Sequence, residues 1–189
     1  SKIFKVPVAE VTKEQRFLGK ISELACGYQG GAGAFKLMAK VYGVDIPHKE
    51  AETIKQEWRK ANHKIVDFWD RCQDAVIKAI QYGGVHWANG VQYGVSNNFL
   101  MCKLPSGRKL HYYHPSVKMK PLICYKIPAT KECPELAFMY HPSEYDSVHD
   151  FYEEAHKAGQ EPFQFTGAEI LYLGVDSKTR RFGQIANYG

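Results

Sequence analysis

No stretch of eighteen apolar residues occurs in this 189-residue sequence, so no membrane-spanning helix is expected. The N-terminus, Ser1-Lys2-Ile3-Phe4-Lys5, has no apolar core of the kind a signal peptide needs, and a cytoplasmic protein is expected. The five cysteines (Cys26, Cys72, Cys102, Cys124, Cys133) are odd in number and none shares CxxC spacing, which favours reduced, buried thiols over disulfides or zinc. The glycines Gly30, Gly31 and Gly33 are not followed by G-K-S/T, so they form no P-loop and read as a helix-to-helix turn. The eight histidines, among them His111, His114, His141, His149 and His156, offer no H-x-x-x-H pair on an expected helix, and no metal site is expected. Internal repeats and low-complexity segments are absent too.

What is there is an ordinary globular composition, 44% hydrophobic and 24% charged, long enough for one moderate domain or a domain with an appendage. The net charge of +5 is unevenly spread. Residues 1–120 carry 19 Lys/Arg against 10 Asp/Glu, and residues 121–189 carry 6 against 10. A basic first two-thirds suits a polyanionic partner, so a nucleic-acid face is expected within residues 1–120.

Four helices are expected first. Thr12-Lys13-Glu14-Gln15 has the form of a capping box, opening a helix over residues 13–26 with Phe17, Leu18, Ile21, Leu24 and Ala25 on its apolar side. Further helices are expected over 34–42, ending at Gly43; over 47–61, with Pro47 in its first turn; and over 65–81, ending at Gly83-Gly84. Strands follow at 85–95, 99–104 and 109–113, the last after a turn at Leu104-Pro105-Ser106-Gly107-Arg108. Five prolines make residues 115–142 the least regular stretch, with a strand at 122–127. A short acidic helix over 143–158 and a hairpin of 168–175 with 180–186 around Asp176-Ser177-Lys178-Thr179 complete the pattern. The expectation is an α+β chain of two parts, helical over 1–83 and β-rich over 84–189.

Arg16, Lys20, Leu24 and Tyr28 recur every fourth residue along the first helix. Residues so spaced are about 6 Å apart along the axis and nearly on one face. Two cations at that separation match a triphosphate, and the apolar and aromatic groups beyond them can meet a sugar and a base. A bare R-x-x-x-K is more often only the cationic flank of an amphipathic helix. Similarly, Trp58, Trp69, Tyr112 and Tyr113 at helical or strand spacing are more often core than stacking platforms for bases.

The longer string from Arg16 through Lys20 to Gly27-Tyr28 resembles the O-helix motif of family A DNA polymerases, R-x3-K-x7-Y-G, in the variant of the phage-type branch. Several other stretches resemble that family in the same order. They are Ile3-Phe4 through Val6-Pro7, Trp58-Arg59 through Asn62, Ile65-Val66 through Trp69, Leu104-Pro105-Ser106-Gly107-Arg108 with Leu110, Tyr112 and Tyr113, and residues 167–189. The resemblance covers nearly the whole chain and is weakest over 117–162.

The resemblance implies a helical fingers subdomain that binds the incoming deoxynucleoside triphosphate and a DNA primer-template. Arg16 would contact the terminal phosphates; Lys20 would contact those nearer the reacting centre and could protonate the departing pyrophosphate. Leu24 stands where many relatives carry Phe or Tyr, and fills space against the sugar without stacking. Tyr28 would stack at the new base pair. Gln29 stands where Gly is common, with Gly30 and Gly31 beside it to supply flexibility, and Gln29 and Gly30 would lie against DNA. Arg108 and Lys109 are candidate contacts to the template or primer backbone. A bacterial or phage-infected cell is implied.

The family's two Mg²⁺ ions are held by carboxylates in motifs of the form D-x-S-x-x-E and H-D-E, and neither motif occurs here. His149-Asp150 is followed by Phe151 instead of Glu, within a segment that reads as a solvated helix. The expectation is therefore a fingers portion that works with palm and thumb segments, in cis or on another chain, the palm supplying the Mg²⁺ ligands, and that is inactive alone. The competing reading is a non-catalytic basic nucleic-acid-binding module or polymerase remnant.

Overall fold

The computed structural model describes residues 3–130, 135–140, 145, 147–176 and 179–186. Cys133, His141, Ser143, Glu144, Asp146, Ser177, Lys178 and the stretches 1–2 and 187–189, on which several expectations fall, lie outside them. The described residues form five helices followed, for the most part, by seven strands, so the class is α+β. The sheet order is β1 (Val85–Ala88), β2 (Val91–Ser96), β3 (Phe99–Lys103), β4 (Lys109–Ile127), β6 (Phe163–Val175) and β7 (Phe182–Ala186), with β5 (Leu136–Met139) paired to β4. The chain divides into two compact units, residues 1–63 with 121–165 and residues 64–120 with 166–189. That division crosses the change from helical to strand-rich sequence at 83/84, because β4 and β6 each run from one unit into the other.

In the first unit, α1 (Lys13–Cys26) begins where the sequence predicts. Thr12 Oγ1 accepts the Gln15 N–H at 3.2 Å and the Gln15 side chain accepts the Thr12 N–H at 3.1 Å. α2 (Ala32–Val41) begins two residues before its expected start, with Gly31 at its N-cap. α3 (His48–Ala61) takes Pro47 as its N-cap, one place before the expected first turn. The three helices enclose Ile21, Ala25, Ala32, Phe35, Ala39, Ile46, Ala51 and Ile54. Trp58 is also fully buried, and burial of a side chain as large as Phe35 or Trp58 is worth about 1.5–3 kcal/mol.

A second cluster in this unit gathers Tyr125 of β4, Leu136 and Phe138 of β5, and Phe151 and Ala155 of α5 (Val148–Lys157). Tyr125 and Phe138 stack at 4.9 Å, and the Tyr125 hydroxyl donates to Glu154 Oε1 at 3.0 Å. The acidic helix is shorter than the expected 143–158: Ser147 caps it, its Oγ accepting the Asp150 N–H.

In the second unit, α4 (His63–Tyr82) packs Ala75, Val76 and Ala79 against one face of the sheet, on Ala88, Val91, Tyr93, Leu100 and Cys102. The single strand expected over 85–95 is instead a hairpin. Asn89 (φ 46°) and Gly90 (φ 85°) both adopt left-handed conformations, the requirement of a two-residue turn matched to strand twist. Asn97 (φ 49°) and Asn98 (φ 62°) repeat the device between β2 and β3. The expected strands 109–113 and 122–127 are the two ends of the 19-residue β4, which continues through Pro115 and Pro121; His114, at φ 48°, supplies the local distortion before Pro115.

Candidate functional site

α1 has two faces. Ile21, Ser22, Ala25 and Cys26 point into the first unit, and Ser22 ties its hydroxyl to the Leu18 carbonyl at 2.8 Å. Arg16, Lys20, Leu24 and Tyr28 are exposed on the other side, Leu24 by 40% and Tyr28 by 82%. Leu24 is thus grouped with the cations and not with the core side on which helical periodicity also puts it. Among the described residues, neither Arg16 nor Lys20 makes a side-chain hydrogen bond or ion pair, so both cationic heads are free for a ligand. Arg16 also borders an open hollow of about 390 Å³ whose other walls are the 3–11 segment, Gln15 and Gly19.

The helix ends in a tight left-handed turn. The Gly30 N–H donates to the Ala25 carbonyl at 3.2 Å and the Gln29 N–H to the Cys26 carbonyl at 3.0 Å, the paired bonds of a Schellman ending. Gln29 itself holds the left-handed position, at φ 66°. For the two glycines beside it, expected to supply flexibility, the geometry shows how much room each has. Gly30 is required for closeness: a Cβ there would lie 2.4 Å from the Ala25 carbonyl oxygen, whereas one at Gly31 would meet nothing within 4 Å.

Behind the row, Trp58 of α3 donates its indole N–H to Glu23 Oε2 at 2.9 Å. Glu52 and Lys55, both buried on α3, form an ion pair, and Gln56 Nε2 donates to Glu52 Oε1 at 3.1 Å. Burial pushes the Cys26 thiol up to about 11. Glu23, and its bond to Trp58, are what sequence reasoning misses at this site. The indole is legible as core, but nothing in the spacing of α1 announces that Glu23 reaches a residue 35 positions away.

Arg108 is exposed in the β3–β4 turn, and Lys109 is exposed as the first residue of β4, opposite Lys103. Both belong to the second unit, and the α1 row to the first. His149 and Asp150 lie in the first turn of α5, where Asp150 Oδ2 accepts the Ser147 hydroxyl at 2.8 Å and His149 faces Glu153. No group of three or more His, Cys, Asp or Glu able to hold a metal ion occurs among the described residues. Glu23, the carboxylate on α1 between Lys20 and Tyr28, is engaged by Trp58. These residues do not fit a Mg²⁺ site. No helix among the described residues is long and apolar enough to cross a membrane.

Two exposed cations one turn apart, without an ion pair among the described residues, on a helix braced from behind are chemically able to meet an anion. Over 122 residues the chain is 38% identical to the DNA polymerase of Bacillus phage SP02, a match covering 63% of this chain and 19% of that polymerase. The similarity relates the chain to a phage DNA polymerase, of whose length it spans less than a fifth. No family model matches the chain, and no solved structure matches it.

Proposed function

We propose that this chain is the fingers portion of a family A, phage-type DNA-directed DNA polymerase, and that α1 binds the incoming deoxynucleoside triphosphate. The observation that carries the reading is the pair of cations Arg16 and Lys20, unpartnered among the described residues, one turn apart on the exposed face of α1 and continued by Leu24 and Tyr28. The similarity to a phage DNA polymerase supports it.

In this reading Arg16 grips the terminal phosphates by its planar fork, a geometry suited to phosphate oxygens. Lys20 sits one turn closer to the α-phosphorus. The primer 3′-oxygen attacks that phosphorus, the bond to the pyrophosphate oxygen breaks, and Lys20 gives its proton to the departing oxygen. Leu24 packs against the sugar, Tyr28 stacks at the nascent base pair, and Gln29 and Gly30 lie along the template. Template DNA also meets Arg108 and Lys109. Mg²⁺ ions would neutralise the developing phosphate charge, held by carboxylates of palm segments outside this set of residues.

The test is Arg16→Ala in a polymerase that carries this segment. Losing a charge-assisted phosphate contact of about 1.5–3 kcal/mol should weaken triphosphate affinity by roughly tenfold or more, with DNA affinity unchanged. Triphosphate affinity within about twofold of the parent contradicts the reading and leaves the non-catalytic binding module in its place.

A further inference from the structure

The face of the sheet that α4 does not cover has an unusual surface. Strand register aligns three rungs across it. The first is Trp87–Gln92–Lys103–Lys109, the second Val85–Gly94–Met101–His111, and the third Ser96–Phe99–Tyr113. A water-facing side of an antiparallel sheet is ordinarily polar. Here Trp87 is 64% exposed, Phe99 37% and Tyr113 38%. Phe99 lies 5.0 Å from Tyr113 and 6.2 Å from His111, centroid to centroid, so the third rung and its neighbour form one aromatic cluster. Gly94 leaves a hollow of about 290 Å³ in the middle, walled by Val85, Gln92 and Met101 and rimmed by Lys103 and Lys109.

Charge says what covers this face. Lys103 and Lys109 are direct cross-strand partners, an arrangement of like charges that destabilises a sheet unless an anion lies between them. No acidic residue occurs anywhere between Asp74 and Glu132, a stretch with eight Lys/Arg. Three of these cations are paired, Lys78 with Asp74, Lys120 with Glu169 and Lys126 with Glu135. Lys103, Arg108 and Lys109 have no ion pair among the described residues. An apolar protein partner would leave those charges stranded. A polyanion with planar rings satisfies both halves of the surface: its phosphates meet the lysine edge and its bases stack on Trp87, Phe99 and Tyr113. Duplex DNA keeps its bases stacked inside and cannot use the aromatic groups.

We propose that the open face of β1–β4 is a binding site for single-stranded DNA, tracked by Lys103, Lys109 and Arg108 and stacked by Trp87, Phe99 and Tyr113. It extends the template contact proposed for Arg108 and Lys109, stands on the second unit alone and does not depend on α1 binding a nucleotide.

The experiment is anisotropy of a fluorescent oligothymidylate of about 15 nucleotides, long enough for one such groove, titrated with the full chain. Lys103→Glu/Lys109→Glu should weaken binding by at least about tenfold and flatten its salt dependence. Lys40→Glu/Lys49→Glu, the same change of net charge on exposed residues of α2 and α3, should weaken it by less than about threefold. Trp87→Ala should cost about fivefold or more through lost stacking. A duplex of equal length should compete at least about tenfold more weakly. For the parent protein, photocrosslinking a bromodeoxyuridine-substituted oligothymidylate should mark peptides spanning 85–113, a readout independent of whether any variant folds. Absence of binding at low salt, equal loss in the two charge-reversed pairs, equal competition by duplex, or crosslinks confined elsewhere would each overturn the proposal.

Discussion

Replacing Trp58 with Phe removes the indole N–H that donates to Glu23 Oε2 at 2.9 Å and leaves the six-membered ring in a fully buried position. A hydrogen bond to a charged acceptor is worth about 1.5–3 kcal/mol. Glu23 is exposed, so its carboxylate regains water when the donor is lost, and the cost falls below that range, to about 1 kcal/mol. The smaller ring forfeits about 40 Å² of buried apolar surface, about 1 kcal/mol more. Trp58→Phe should therefore cost about 2 kcal/mol, and Glu23→Gln, which keeps a neutral acceptor, about 0.5 kcal/mol. The assay is urea unfolding of both single variants and the double variant, read at unchanged slope. A coupling of about 0.5 kcal/mol between the two positions is expected if the indole–carboxylate bond braces α1 against α3, since Glu23→Gln should cost nothing once the donor is gone. A loss below about 0.5 kcal/mol for Trp58→Phe, or strictly additive variants, would refute the argument that this bond positions the cationic helix.

Gly30→Ala should destabilise by about 2 kcal/mol or more, since its Cβ would sit 2.4 Å from the Ala25 carbonyl oxygen; thermal unfolding checks this. Gln29→Gly should do the reverse, adding about 0.5–1 kcal/mol by relieving a left-handed non-glycine residue, and an unchanged or lower midpoint would contradict it. Burial raises the Cys26 thiol from 9.0 to about 11, so the folded state holds this proton more tightly than the unfolded chain. Its contribution to stability is present below pH 9 and is lost as pH rises toward 11, and urea midpoints across that range should fall in the parent but less so in Cys26→Ala.

The helices were legible because their signals are local. The capping box at Thr12 and the fourfold spacing of Arg16, Lys20 and Tyr28 lie within a few turns of one another, and α1 forms over the expected residues. Asn89-Gly90 carried an equally local turn signal that the aromatic and β-branched run around it masks. β4 was legible only in its two ends, because prolines argue against a strand and only pairing to neighbours and the turn of His114 make room for Pro115. The compact units could not be read at all, since β4 and β6 carry the chain between segments far apart in sequence. At the site, sequence spacing gave the exposed row but not its support. The Glu23–Trp58 bond and the left-handed Gln29 depend on tertiary packing and on a turn conformation that Gln does not advertise.

Single-turnover incorporation by Lys20→Ala at saturating nucleotide, in a polymerase carrying this segment, tests the central claim most directly. Lys20 is exposed and unpaired among the described residues, so its truncation should cost folding only about 0.5 kcal/mol. If its ammonium meets charge that gathers on the departing pyrophosphate, the chemical step loses roughly 3–4 kcal/mol, a slowing of about 100-fold or more, with the unfolding temperature nearly unchanged. A rate within about twofold of the parent would mean that Lys20 is a solvated surface lysine and that α1 is not a nucleotide-binding helix.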